Sequence, residues 1–301
     1  MLHFPVLLEE SVDFLIQNID GSFIDGTFGR GGHSKSILKK ISSKASLYAF
    51  DKDPEAVKFA ANFKEKNFQI FHDSFKNFHR YFDKESIDGI IYDLGTCSTH
   101  FDNSQRGFSL NKDGPLDMRF DNTKGISLSE WINKAKIEEI IEILYKYGDE
   151  KHAKFVANAI DKERKDKPIT KTIQLANIIK NNFPDKKKKI HPATKSFQAF
   201  RIFINNELEE FESSLRVTKK ILKKNGVVVT IAFHSLEDNI IKNFFKPSLK
   251  LFPKDIPLNN VEERSFKCIA KKIRPSDDEI EKNNRSRSCL LYTSPSPRDR
   301  G

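Results

Sequence analysis

The chain is poor in cysteine and has no long apolar run, and each scarcity excludes something. Its three cysteines, Cys97, Cys268 and Cys289, show no paired spacing. That argues against a disulfide framework or a structural zinc site and for a reducing, cytoplasmic setting. No segment approaches the roughly 18–20 apolar residues that cross a bilayer, so no membrane partner is expected. The start, "MLHFPVLLEESV", carries early acids and no small-residue cleavage site, unlike a signal peptide. No GxxxxGK[ST] run occurs, which argues against a phosphate-cradling NTPase, and GxGxxG is missing as well.

What is present is charge and helix-forming sequence. At 301 residues the chain suffices for one large domain or two ordinary ones. A net charge of +10 suits a nucleic-acid partner, although lysine is spread through the whole chain and dilutes the meaning of any one run. The last stretch, "CLLYTSPSPRDRG", changes character abruptly. Residues 289–301 resemble a translated sequencing adapter, and on that expectation they are set aside from the fold and the natural C-terminus is missing.

Short β-branched or aromatic runs alternate with helical patterns. "GSFIDG", "SLYAFDKD", "FQIFHDSF" and "IDGIIYDLG" read as four strands, with helices expected over 33–41 and 54–66 between the first three. This is the pattern of a parallel, doubly wound α/β sheet whose strand C-termini share one edge. From about Gly107 to Asn205 the spacing is helical, for instance at Trp131, Ile132, Ile140, Ile141 and Leu144. A long helix is then expected to end at Gly226 before "VVVTIAFHS", the strongest buried-strand signal. "SFKCIAKKI" would supply a late strand, and "RSRSCLLY" sits where one more should follow. The domains predicted are 1–106 with 206–288, interrupted by a helical insertion over 107–205.

"FIDGTFGRGGHS" places four glycines in the first strand-to-helix loop, at the edge where such sheets bind ligands. A tight turn explains the glycines as well as a ligand does. Asp51, about twenty residues on at the second strand end, tips the balance toward a nucleoside-containing ligand, because an acid there can accept from ribose hydroxyls. Asp25 and Asp93 end the first and fourth strands, and three acids suit ribose, amino and cationic groups better than a polyphosphate. In "FHSLED", Ser235 and Asp238 approximate a capping box, and His234 is either incidental or beside the reaction centre. Arg106, Asp117 and Arg119 form either a surface loop or a substrate-facing lid. "DKKKKIHPATKSFQAFRIF" sets lysines before Phe197, Phe200 and Arg201, either a solvated run or a site for RNA phosphates and an unpaired base.

Taken together, "FIDGTFGRGGHS", "AFDKDPEA", "DGIIYDLG", "RGFSLNKDGPLDMR", "YGDEKHAKFVANAI", "HPATKSFQAFRIFINNELEEFE" and "FHSLED" resemble, in order, the bacterial RsmH/MraW family. The resemblance runs from Phe4 to Ser288. It implies a Rossmann-like class I S-adenosylmethionine-dependent methyltransferase with a helical insertion, acting on the N4 amine of a cytosine in 16S rRNA of the small ribosomal subunit. By motif, cofactor contacts would be Gly31, Gly32, His33, Asp51, Phe75 beside the adenine, and Asp93. His100, in "DLGTCSTH", stands where the family carries a cofactor-contacting glutamine. Asp93 is the expected acceptor for the amine hydrogens, with backbone carbonyls of Leu94 and Gly95, and His234 is a second catalytic candidate. Two alternatives remain: cytosine C5 methylation through Cys97, which needs a thiolate nucleophile, and a non-catalytic RNA-binding module.

Overall fold

The computed structural model describes residues 5–183, 191–245, 266, 268 and 270–295. The chain divides into two compact units, 1–95 with 208–301, and 96–207. The first boundary therefore falls at Gly95, ahead of the expected 106/107 junction.

The first unit opens with α1 (Leu8–Leu15), β1 (Ser22–Asp25), α2 (Gly32–Lys40), β2 (Ser46–Asp51), α3 (Pro54–Phe59), β3 (Phe68–His72) and β4 (Ile87–Asp93). The second unit holds α4 (Ser98–Asp102), α5 (Leu128–Ile132), α6 (Ile137–Gly148), α7 (Ala153–Asp166), α8 (Thr172–Asn182) and α9 (Thr194–Asn205). α10 (Glu207–Ile221), β5 (Leu222–Ala232), α11 (Ser235–Phe245), β6 (Ala270–Ile273), α12 (Asp277–Lys282) and β7 (Leu290–Pro295) complete the chain.

The seven strands form one sheet in the order β3-β2-β1-β4-β5-β7-β6. β1 to β5 are mutually parallel, and β7 runs antiparallel to both of its neighbours. The parallel strands are near-continuous apolar runs because both sheet faces are covered, as in "VVVTIA", where every residue is buried. Asp25, Asp51 and Asp93 all sit at strand C-termini on one edge, as the alternation of strands and helices requires.

Three expectations need correcting. Residues set aside as a tail supply β7, and Tyr292 and Leu291 are buried in the sheet core. Pairing on both sides buries Leu291, Tyr292, Thr293 and Ser294 in succession, as a central strand requires. The long helix before β5 is two helices, because Asn205 is taken up by the loop ahead of α5 and Asn206 turns left-handed at φ 50°. Gly226 then lies inside β5, after a register shift against β4, and caps no helix. The helix expected over 54–66 stops at Asn62, and Phe63 leaves it to stack with Phe68.

The second unit is helical with its own core, built from residues such as Leu128, Ile140, Leu144, Val156, Ile160, Leu175, Ile179 and Phe200. Among the described residues its only strand-like pairing is one bridge between Pro115 and Lys171.

Candidate active site

The loop between β1 and α2 is held by its flanking acids. Asp25, 1% exposed, accepts from the Thr27 N–H at 3.1 Å and from the Ser34 hydroxyl at 2.6 Å, tying the loop's entry to the first turn of α2. Burial pushes its carboxyl up to about 6, against the lowering effect of those bonds from Ser34 and Thr27, and the Asp51 charge adds to the rise. Gly29 and Gly31 both have positive φ, which glycine alone adopts without strain. The Gly29 N–H donates to Asp51 Oδ2 at 2.7 Å, and the Asp53 N–H donates to Oδ1 at 2.8 Å.

Close packing explains the other glycines. A Cβ on Gly31 would lie 2.4 Å from Phe63 Cζ, and one on Gly32 would lie 2.1 Å from Pro5 Cγ. The loop is therefore pressed tight against the body of the unit, with its N–H groups at the start of α2.

At the end of β4, the Asp93 N–H donates to Thr27 Oγ1 at 2.7 Å, which joins this strand end to the glycine loop. His33, buried in the first turn of α2, sets Nδ1 3.6 Å from Asp93 Oδ2. Asp93 is thus paired with an imidazole while remaining partly open to solvent. Phe75 starts a short 3-10 helix whose N-cap is Ser74, and its ring meets Tyr92 edge-on at 5.7 Å between centroids. Gly31, Gly32, His33, Asp51, Phe75 and Asp93 all therefore belong to the first unit, on the loops and strand ends of one sheet edge.

His234 follows β5 at the same edge. The turn there is built by Glu237, a buried residue that sequence reasoning passed over. Its Oε2 accepts from the N–H groups of Phe233 and His234 at 2.7 and 3.3 Å, and its Oε1 lies 3.1 Å from His234 Nε2. Asp238, the expected capping partner of Ser235, is instead bonded by the Tyr292 hydroxyl and Lys242. The signal for Glu237 was its place three residues after His234, one helical turn on.

His100 and Cys97 lie in the second unit. The His100 ring stacks on Phe108 at 5.0 Å and lies 5.2 Å from Phe120. Cys97 precedes α4 and accepts from the Thr99 hydroxyl at 3.4 Å.

Other candidates of the second unit are engaged internally. The Arg106 guanidinium is buried and donates to the carbonyls of Arg119 and Phe120, while Arg119 grips Asp117 through two bonds. The stretch is an ordered, self-bonded loop. Phe197 and Phe200 are core residues, which removes them from the reading in which they stack an unpaired base. Arg201 is paired twice with Glu207. The lysine run 186–189 lies outside the described residues.

A parallel sheet with a glycine loop and strand-end carboxylates on one edge defines an enzyme domain for a nucleoside-type cofactor. The lysine beside Asp51, Lys52, is held by Glu210, which fits hydroxyls and cationic groups better than phosphates. The chain belongs to the MraW methylase family, whose profile matches residues 1–294. It is 44% identical over 302 residues to the ribosomal RNA small subunit methyltransferase H of Buchnera aphidicola subsp. Cinara cedri, covering 97% of this chain and 98% of that one. The protein of the same name from Alteromonas mediterranea is 42% identical over 299 residues, covering 96% of each. Among solved structures, an rRNA methylase from Streptococcus thermophilus is similar at a TM-score of 0.45 and 11% identity, covering 99% of both chains.

Proposed function

We propose that this protein transfers the methyl group of S-adenosylmethionine to the N4 amine of a cytosine in 16S rRNA of the small ribosomal subunit. Membership of the MraW methylase family and 42–44% identity to methyltransferases H support small-subunit rRNA methylation. The single observation that carries the chemistry is the Asp93 carboxylate at the end of β4, paired with His33 and bonded through its N–H to the glycine loop.

The residues present fit the cofactor. Asp51 stands where ribose hydroxyls need an acceptor, and Phe75 offers an aromatic face for the adenine. The loop from Gly29 to His33 leads into the start of α2. When bound, S-adenosylmethionine supplies an activated methyl group on a sulfonium.

An exocyclic cytosine amine is a weak nucleophile because its lone pair is delocalised into the ring. Catalysis therefore depends chiefly on orientation and on excluding water. Asp93 accepts a hydrogen bond from the amine, which orients its lone pair for attack; as the N–C bond forms and the C–S bond breaks to leave the neutral thioether, the carboxylate is placed to take the proton that the amine sheds. The carbonyls of Leu94 and Gly95 are the neighbouring acceptors, and the positive φ of Gly95 (100°) turns the chain there. His33 holds the Asp93 carboxylate in place. His234, set by Glu237, serves as a second orienting group. The target cytosine leaves its stack to be read.

No helix among the described residues is long and apolar enough to cross a membrane, and we assign the protein to the cytoplasm with its rRNA substrate. Incubating the purified protein with undermodified small subunits and labelled cofactor, then digesting the RNA for mass spectrometry, tests the reading. N4-methylcytidine is the expected product; a methyl on C5, or none, overturns it.

A further inference from the structure

We infer that Glu210 is a positioning residue of the cofactor pocket, fixing the two turns that carry Asp51 and Phe75. Glu210 lies on α10, away from both turns in sequence, and its side chain is buried. Oε2 accepts from Lys52 Nζ at 2.9 Å and from the Ser74 hydroxyl at 2.8 Å, and Oε1 accepts from Lys76 Nζ at 2.9 Å. Lys52 directly follows Asp51; Ser74 and Lys76 flank Phe75. One carboxylate therefore straps the turn after β2 to the turn after β3.

A carboxylate in such a place is costly unless donors surround it, and here three donors from two turns do so. The same helix holds the Phe75 backbone a second time, because the Ser214 hydroxyl donates to the Phe75 carbonyl at 3.2 Å. Ser214 is itself bonded to the Tyr92 hydroxyl, whose ring Phe75 meets edge-on. The strands beneath are already in register, with Asp51 opposite His72. What the sheet leaves open is the path of each turn beyond its strand end, and Glu210 sets it. The distance between the ribose acceptor and the adenine ring follows from that strap.

Loss of the charge would have a defined consequence. Lys52 would be released beside the Asp51 carboxylate, where it competes with the ribose hydroxyls for the acceptor. Glu210 thus acts on cofactor affinity and not on the transfer step.

This inference rests on Asp51 and Phe75 being cofactor contacts, and the experiment separates the two. The dissociation constant of S-adenosylhomocysteine is measured by calorimetry for the wild type, Glu210→Gln and Ser74→Ala, alongside KM for S-adenosylmethionine, KM for small subunits, and kcat. Losing a hydrogen bond to a charged group predicts roughly tenfold weaker binding and a matching rise in cofactor KM for Glu210→Gln. Ser74→Ala, which keeps both lysine pairs and gives up the bond to Glu210 together with the weak cap on the Lys76 N–H, should weaken binding by about threefold on the same reasoning. Both kcat and the small-subunit KM should stay near the wild-type values. Unchanged cofactor affinity in the folded variants, with only a lower melting temperature, overturns the inference. So does an equal loss in kcat or small-subunit KM. Failure of the wild type itself to bind S-adenosylhomocysteine would instead sink the functional reading.

Discussion

The Gly29 N–H donates to Asp51 Oδ2 at 2.7 Å, so the acid assigned to a ribose is also the clasp of the glycine loop. Both Asp51 oxygens accept from the backbone, one from the glycine loop after β1 and one from Asp53 in its own turn. Asp51→Ala strands two N–H groups and should cost about 1–3 kcal/mol of stability in urea unfolding. The same variant should lose S-adenosylhomocysteine binding, whereas Asp51→Asn keeps one of the two acceptors and should weaken binding at a smaller cost in stability than Asp51→Ala. Equal stability of Asp51→Ala and wild type would refute the clasp.

Asp25 gives a stability dependence of definite sign. Its carboxyl is raised from 3.8 to about 6 by burial, so between those values the folded state binds more protons than the unfolded state. Stability from this group is therefore fullest below about pH 4 and falls as pH rises toward 6, by on the order of 3 kcal/mol at most. Asp25→Asn should flatten that part of the stability profile. Urea midpoints of both proteins from pH 4 to 7 measure it, and parallel curves would contradict the assignment.

β7 lies between β5 and β6, and its Tyr292 hydroxyl bonds the buried Asp238. Tyr292→Phe removes one partner of that carboxylate and should lower stability by roughly 1–3 kcal/mol. Truncation before Leu290 removes a strand paired on both sides, and the expected result is loss of the cooperative melting transition. A truncated chain melting like the full one would show that β7 is dispensable.

The C5 alternative needs a nucleophilic thiol, for which Cys97 is the candidate. Cys97→Ser should retain methyl transfer, and RNA carrying 5-fluorocytosine should form no covalent adduct with the wild type. An adduct surviving denaturing electrophoresis would reverse that conclusion.

Much of the parallel sheet was legible, because β-branched runs separated by helical spacing leave little choice of topology. Asp25, Asp51 and Asp93 were placed at one edge by strand polarity alone. The acids that fix the neighbouring turns were passed over: Glu210 bonds Lys52, Ser74 and Lys76 only after segments distant in sequence meet, and Glu237 bonds Phe233 and His234 only once the turn after β5 is made. Phe197 and Phe200 fit either a solvated run or base stacking, because aromatic next to basic sequence is ambiguous, and the helix turns both into the core. Gly226 looked like a helix stop, whereas the chain had already turned at Asn206 and entered β5 through an irregular register. A strand was expected at "RSRSCLLY", but the compositional break at Cys289 cut it short, since composition says nothing of pairing.

The role of Asp93 is tested most directly by single-turnover methyl transfer to undermodified small subunits, with wild type, Asp93→Asn and Asp93→Ala each saturated with S-adenosylmethionine. Removing an acceptor that orients the amine should slow transfer by roughly 10²-fold or more in Asp93→Ala, with Asp93→Asn intermediate. S-adenosylhomocysteine binding, measured in parallel, fixes the saturating concentration. Full-rate transfer by Asp93→Ala at saturating cofactor would contradict the proposed mechanism.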